Sequence, residues 1–300
     1  MHRNPLTRSV PLALALCAVA PTPALAQEHV IRNDGRARYL AANVLIGTAT
    51  ALARARISNE PLWPALRKGV VGGLVMNGGV SLIGTESPSL RFLGLQTVAV
   101  GASIARNADD GVPLLSDLTF PVYPFFVRVR AADAPKLSLR LSTMSTAYIV
   151  STITSAKHSR VDWRETLITG APVFRSAGWR LPSAHCPPPC EGSFARHDGG
   201  LVVYSASAGT DYDLQRTLAH ESMHLAQHTR DVLLHAQPTS DALLVRLGKP
   251  GAFVSRFLVL DGFLPLKGLS ITATHLQGVP ARQSWYEREA RAFAPGGEFR

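Results

Sequence analysis

The feature that most constrains this chain is the stretch LAHESMHLAQH, residues 218–228, which crowds His220, Glu221, His224 and His228 into three turns of helix. An α-helix rises about 5.4 Å per turn of about 3.6 residues, so His220 and His224, four positions apart, stack on one face and can present two nitrogens to a single ion. Glu221 is rotated about 100° from His220, poor placement for a third ligand but good placement for a base leaning over the open side. His228 lies about 12 Å from His220 along the axis, against zinc–nitrogen distances of about 2 Å, so it is not a ligand of the same ion and is expected at the exposed end of the helix. Two ligands on one helix do not close a site. The motif therefore demands a helix here and a third donor brought in from elsewhere by the fold.

The flanking pattern agrees with a helix. Thr210-Asp211-Tyr212-Asp213 has the S/T-x-x-D/E form of a capping box, and Leu214, Leu218 and Leu225 lie on one apolar stripe. Pro238 is expected to bound the helix, and Leu201–Ser205, after Gly199-Gly200, is predicted to be a short strand just before it. The third donor is sought in SWYEREARAFA, residues 284–294. On a helical wheel Trp285, Tyr286, Ala290 and Phe293 form the apolar face, Glu289 points into it and Glu287 lies at its edge. Either carboxylate is a candidate from the wheel alone, as is the reading that both pair in solvent with Arg282, Arg288 or Arg291.

These two segments, AHESMH and YEREARAFA, resemble the gluzincin metallopeptidases, in particular the CAAX-prenyl-protease and heat-shock membrane-protease group, whose second helix carries E-x-x-A-D. Strand, turn and His-bearing helix also follow zincin order. The resemblance implies Zn2+ held by His220, His224 and Glu287, with Ala290 as the family's small residue and Glu221 as the catalytic base. Arg291 stands where the family has an Asp that steadies a zinc-binding His. The longer metzincin pattern is excluded, because Ala226 and Arg230 occupy the positions of its Gly and third His. Only these two helices carry the likeness; residues 27–200 show no family signature. Tyr286, His275 and His235 are the candidates for assisting at an oxyanion.

The N-terminus bears on where such chemistry would take place. Arg3 and Arg8 precede an apolar run that ends in Ala24-Leu25-Ala26, the form of a secretory leader cleaved after residue 26. The predicted location is the periplasm or the extracellular space. The mature chain keeps Cys186 and Cys190 in HCPPPCEG, expected to form a small disulfide loop, the competing reading being a second metal site with His185. Net charge is +10 and becomes +8 once the leader's two arginines are lost. The basic residues are spread out with no aromatic interleaving, so no nucleic-acid partner is indicated.

Residues 27–112 hold three apolar, Gly-rich segments, Tyr39 to Ala53, Gly69 to Thr85 and Phe92 to Ala105. They are at or below bilayer-spanning length, so the expectation is close-packed core helices, with membrane association through these segments as the alternative. Residues 113–155, containing LTFPVYPFFVRVR and KLSLRLSTMSTAYIVSTI, are predicted to be β-rich, a hairpin turning at Ala131 to Pro135. Alternation of Phe126, Arg128 and Arg130 with Val127 and Val129 predicts one face in water, and Pro121 and Pro124 suit an edge or a turn.

The sequence thus predicts an α+β chain: a leader over 1–26, a Gly-rich helical region over 27–112, a β-rich segment over 113–155 and a zincin-like metallopeptidase domain over 156–300. The expected activity is zinc-dependent hydrolysis of a peptide or protein, the peptide pairing with the strand near Val202 to Ser205. The alternative is a catalytically idle zinc-binding or envelope structural protein.

Overall fold

The computed structural model describes residues 31–85, 87–108, 112–131, 135–155, 159–176, 195–198, 200–205, 211–262 and 285–294. The expected leader, the Cys186/Cys190 loop, Thr210 and His275 lie outside the described residues.

The chain is mixed α+β and mostly helical, with two small sheets. Helices α1 (Ile31–Ser58), α2 (Leu62–Ile83) and α3 (Pro88–Arg106) form a layer at the start. Glycine is what lets α2 and α3 touch. A Cβ on Gly72 would sit 2.6 Å from the Gly101 carbonyl oxygen, and one on Gly79 would sit 2.6 Å from that of Gly94, with the same clashes in reverse. The pairs are spaced by seven residues on each helix, so the seam stays on one face over two turns. The expectation of close-packed Gly-rich helices is met, and among the described residues no helix is long and apolar enough to cross a membrane.

Strands β1 (Asp117–Val122), β2 (Phe125–Arg130) and β3 (Lys136–Ser142) form a meander, extended by the short β8 (Leu258–Val259) parallel to β3. Pro121 lies in the edge strand β1, where its missing N–H costs no ladder bond. The alternation does leave one face toward water, and it is the apolar one. The side carrying Phe126 and Arg128 is the one turned in, against α3: Asp117 accepts from Arg106, Arg128 and Arg130, and the Thr119 amide donates to Ser103 Oγ at 3.0 Å. The other side points outward and is apolar in every row, Leu118–Val129–Leu137, Phe120–Val127–Leu139 and Val122–Phe125–Leu141.

The predicted β character ends at Ser142, where helix α4 (Thr143–Ser155) begins in place of a continued strand. The reason is a cap from far along the chain. Asp261 Oδ1 accepts the Met144 amide at 2.9 Å and the Thr143 hydroxyl at 3.1 Å, while Ser142 Oγ accepts the Ser145 amide at 3.0 Å. Those bonds satisfy a helix start and override the β-branched composition that follows.

The second sheet has the order β4 (Ser159–Val161), β5 (Val173–Ser176), β7 (Leu201–Ser205), β6 (Ala195–Asp198), with α5 (Trp163–Thr169) between β4 and β5. The strand predicted at 201–205 exists, but it is an inner strand, parallel to β5 and antiparallel to β6. It has no free edge for a peptide, which corrects that expectation.

Helix α6 (Asp211–Asp231) follows, then a wide π turn (Val232–Ala236), α7 (Gln237–Arg246) and α8 (Gly248–Val254); α9 (Trp285–Phe293) closes the chain. Pro238 does not stop the helix as expected. A proline lacks its own N–H and crowds the carbonyl one turn back, and here the preceding turn widens while the chain stays helical into α7. The main core joins the Gly-seamed layer to α6 and α9: Met76, Val80 and Leu95 pack with Ala219, Met223 and Leu233, and with Ala290 and Phe293, while the second sheet packs in smaller clusters, Val173, Val202 and Tyr204 with Leu218, and Phe174 with Val203. Arg91, almost wholly buried on α3, donates to the Gln215 carbonyl and side chain at 3.1 and 2.6 Å and so fixes the start of α6.

Candidate metal centre

Helix α6 carries His220 and His224 one turn apart, their ring centroids 4.9 Å from each other and their planes near perpendicular at 87°. Helix α9 lies across them and brings Glu287 to both: its carboxylate oxygens stand 3.6 Å from His220 Nε2 and 3.2 Å from His224 Nε2. One donor atom from each of the three residues lies within 4.8 Å of the other two. Three ligands at zinc distances of about 2.0–2.1 Å in a tetrahedron would be about 3.4 Å from one another. The two measured separations bracket that value. The donor set, two imidazoles and a carboxylate, is one that zinc takes, so the residues present fit the ion.

The orientation of His224 is set from behind. Its Nδ1 lies 2.8 Å from Gln227 Oε1, and the Gln227 amide nitrogen donates to the Tyr286 carbonyl at 2.8 Å and to Glu289 Oε2 at 3.0 Å. With the amide nitrogen committed, only the oxygen is left to face the ring, so Nδ1 carries a proton and Nε2 is the ring atom turned toward Glu287. Glu289 is itself fixed by Arg230, whose guanidinium donates to both carboxylate oxygens at 3.0 and 3.1 Å, and by the Asn43 amide at 3.2 Å. A carboxylate, an arginine and an asparagine from three helices thus hold one glutamine, and the glutamine holds one imidazole.

The charges respond accordingly. Burial acts to lower the His224 pKa, and Glu287 and Glu221 with Gln227 more than reverse it, so the net shift is upward. Burial would raise the Glu287 carboxyl, but bonds from the two histidines hold it well below the usual carboxylate range. Glu221 is mostly buried on α6 beside this centre, close enough that its charge is felt at His224. The Glu221 carboxylate and a three-donor cluster are therefore adjacent.

The wheel left two carboxylates open; the fold brings Glu287 to the histidines and commits both oxygens of Glu289 to the interior. His228 departs from expectation. Instead of lying at an exposed helix end it is buried, Nε2 3.8 Å from Asp261 and its ring 5.8 Å from Tyr123, because β8 and the cap of α4 pack over that part of α6. Arg291, in the family's Asp position, is not the partner of a site histidine in any bond described above; Gln227 takes that task for His224. Of the oxyanion candidates, the Tyr286 phenol is buried among Asp231, Arg230 and Glu289, behind the centre. His235 lies in the π turn near Arg54 and Arg230. Sequence reasoning missed Gln227, although it stands three residues after His224, the spacing at which helical side chains meet. Comparison with family models, with curated proteins and with solved structures finds no match for this chain.

Proposed function

We propose that this protein is an exported zinc-dependent metallopeptidase of gluzincin type, in which His220, His224 and Glu287 hold the ion. The observation that carries the reading is the convergence of those three donors from two helices about sixty residues apart, with Glu221 beside them. Zinc at such a site supplies Lewis-acid polarisation of a carbonyl and lowers the pKa of a water. Glu221 takes the proton of the attacking water and delivers it to the departing amine, one carboxylate serving as base and then as acid. Gln227 keeps His224 Nε2 aimed at the centre throughout. The peptide adds along a free sheet edge, and the edge next to α6 is β6 rather than β7.

The test is metal content together with turnover of a peptide library. Wild type should carry one zinc per chain and cleave; Glu221→Gln should keep the zinc and lose cleavage; Glu287→Gln should lose both. The replacement of the family's Asp by Arg291 favours a second reading, a zinc-binding protein without catalysis. Stoichiometric zinc with no turnover in wild type would select it, and absence of zinc after repletion would sink both.

A further inference from the structure

Helix α9 is nine residues long, and a helix that short is marginal in water by itself, so tertiary contacts decide where its Glu287 stands. From α6, Gln227 donates to the Tyr286 carbonyl and Arg230 to both oxygens of Glu289. A second set of contacts comes from α1. Trp285, Glu289 and Phe293 recur every four positions and share one face of α9, and Glu287 sits about 160° around the helix from the middle of that face. The helix that packs there backs the ligand that α9 presents.

The α1 contacts come from Arg36, Tyr39 and Asn43, spaced at i, i+3 and i+7 so that they line up on one side of the helix. The Tyr39 ring reaches both ends of α9: its centroid lies 4.7 Å from that of Trp285 and 6.2 Å from that of Phe293. Tilted ring pairs at these separations favour one relative placement as well as burial. Arg36 lies over the Phe293 ring at 5.7 Å with its Nε 3.5 Å from the Ala292 carbonyl, and the Asn43 amide donates to Glu289 at 3.2 Å. A backstop stands at the end of α2. Gly84, in the ordinary right-handed region at φ −65°, meets the last turn of α9 so closely that a Cβ there would be 2.2 Å from the Phe293 carbonyl oxygen.

Placement of this kind matters because a metal centre tolerates errors of only about 0.5 Å in its donors. The gluzincin likeness covers α6 and α9 alone and assigns no task to α1. We propose, resting on the zinc reading above, that Tyr39 and Gly84 are positioning residues of the metal centre. Through them α1 and α2 set α9 so that Glu287 meets His220 and His224. The Gly-rich layer is thereby part of the site, and zinc affinity depends on a tyrosine whose ring contacts are Trp285 and Phe293.

The experiment is zinc affinity of the full chain by chelator competition, read beside Tm. Wild type should bind one zinc per chain. Tyr39→Leu, which stays apolar but loses the ring, should weaken binding at least about tenfold, and Tyr39→Phe, which keeps the ring, should restore it. Gly84→Ala should weaken binding as well, since alanine adopts that backbone and its methyl can only push α9 away. It removes no core side chain and carries the test if Tyr39→Leu does not fold. Asp117→Asn, which breaks the network between α3 and the first sheet, should lower Tm and leave zinc affinity unchanged. Wild-type affinity in both Tyr39→Leu and Gly84→Ala, whatever their Tm, would reduce these contacts to packing and overturn the proposal. Equal weakening in Asp117→Asn would overturn it too, by making affinity a follower of stability. Both results leave the zinc reading standing, whereas a wild type that takes up no zinc after repletion removes the reading and the positioning role together.

Discussion

Two of the buried ion networks among the described residues are built on opposite principles. Behind the candidate metal centre one carboxylate, Glu289, meets one guanidinium, Arg230, both enclosed, with Asn43 and Gln227 taking up the remaining bonds. Between α3 and the first sheet one carboxylate, Asp117, meets three guanidiniums whose side chains range from enclosed to half open, 6% for Arg106, 20% for Arg128 and 48% for Arg130. In the first, a closed pair, one guanidinium meets both oxygens of one enclosed carboxylate, with the Asp231 charge also felt at Arg230. The second is graded toward water and has charge to spare. Burying a charge is tolerable only with its partner in place, so the closed pair should be brittle and the graded one forgiving. Only the closed pair also reaches the site, through Gln227 and His224.

The largest effect should come from breaking the closed pair. Glu289→Gln leaves the enclosed Arg230 without its two-oxygen carboxylate partner and should cost about 3–5 kcal/mol by urea unfolding. Asp117→Asn should cost less, about 2–3 kcal/mol, because Arg128 and Arg130 can turn to solvent and Arg106 keeps Gln237 and Thr119. Equal losses would erase the distinction.

Acid should separate the two regions as well. Burial, then the charges of Arg54 and Arg230, depress the His235 pKa to about 4, so folded protein stays neutral there while unfolded chain takes up a proton. Stability from this group is present above the unfolded value of about 6.5 and is lost as pH falls from there toward 4, on the order of 3 kcal/mol, and His235→Gln should flatten that slope. Asp117 has the opposite timing. Burial would raise its pKa, but the bond from Arg128 and the charges of the three arginines hold it below 3.8, so its contribution survives until pH falls below that range. A melting series from pH 7 to about 2 on wild type and both variants reads out the two windows.

Gln227→Met probes the link from the closed network to the centre, removing the acceptor of the His224 Nδ1 proton at similar volume. Zinc affinity, measured by chelator competition, should weaken about 10- to 100-fold, more than any change in Tm would account for. An unchanged affinity would show that the network braces the fold alone. The smallest effect belongs to Arg130→Gln on the open rim of the graded network, under about 1 kcal/mol.

What could be read without the fold was whatever depends on neighbours along a helix or on composition. The four-residue spacing of His220 and His224, the inward aim of Glu289 on the wheel and the close packing implied by repeated glycines are local facts, and each reappears in the structure. What could not be read depended on residues far away in sequence. Asp261 turns the stretch after Ser142 into a helix, and the same aspartate neighbours His228, which the helical pattern alone had placed in solvent. β6 pairs along β7 and takes its edge.

The sequence by itself determined that two imidazoles and a glutamate share a helix, because 3.6-residue periodicity fixes faces within a segment. It also determined which strand residues share a side, because alternation does the same for β-structure. It did not determine which side faces inward. The tertiary structure decided that, turning Arg128 in because Asp117 and Arg106 wait there, and leaving the apolar rows outside. It also decided between Glu287 and Glu289, two residues apart on one short helix, by giving Arg230 to one and the two histidines to the other. Periodicity orders residues within an element; only the partners across the core say which of them is buried, paired or left facing a site.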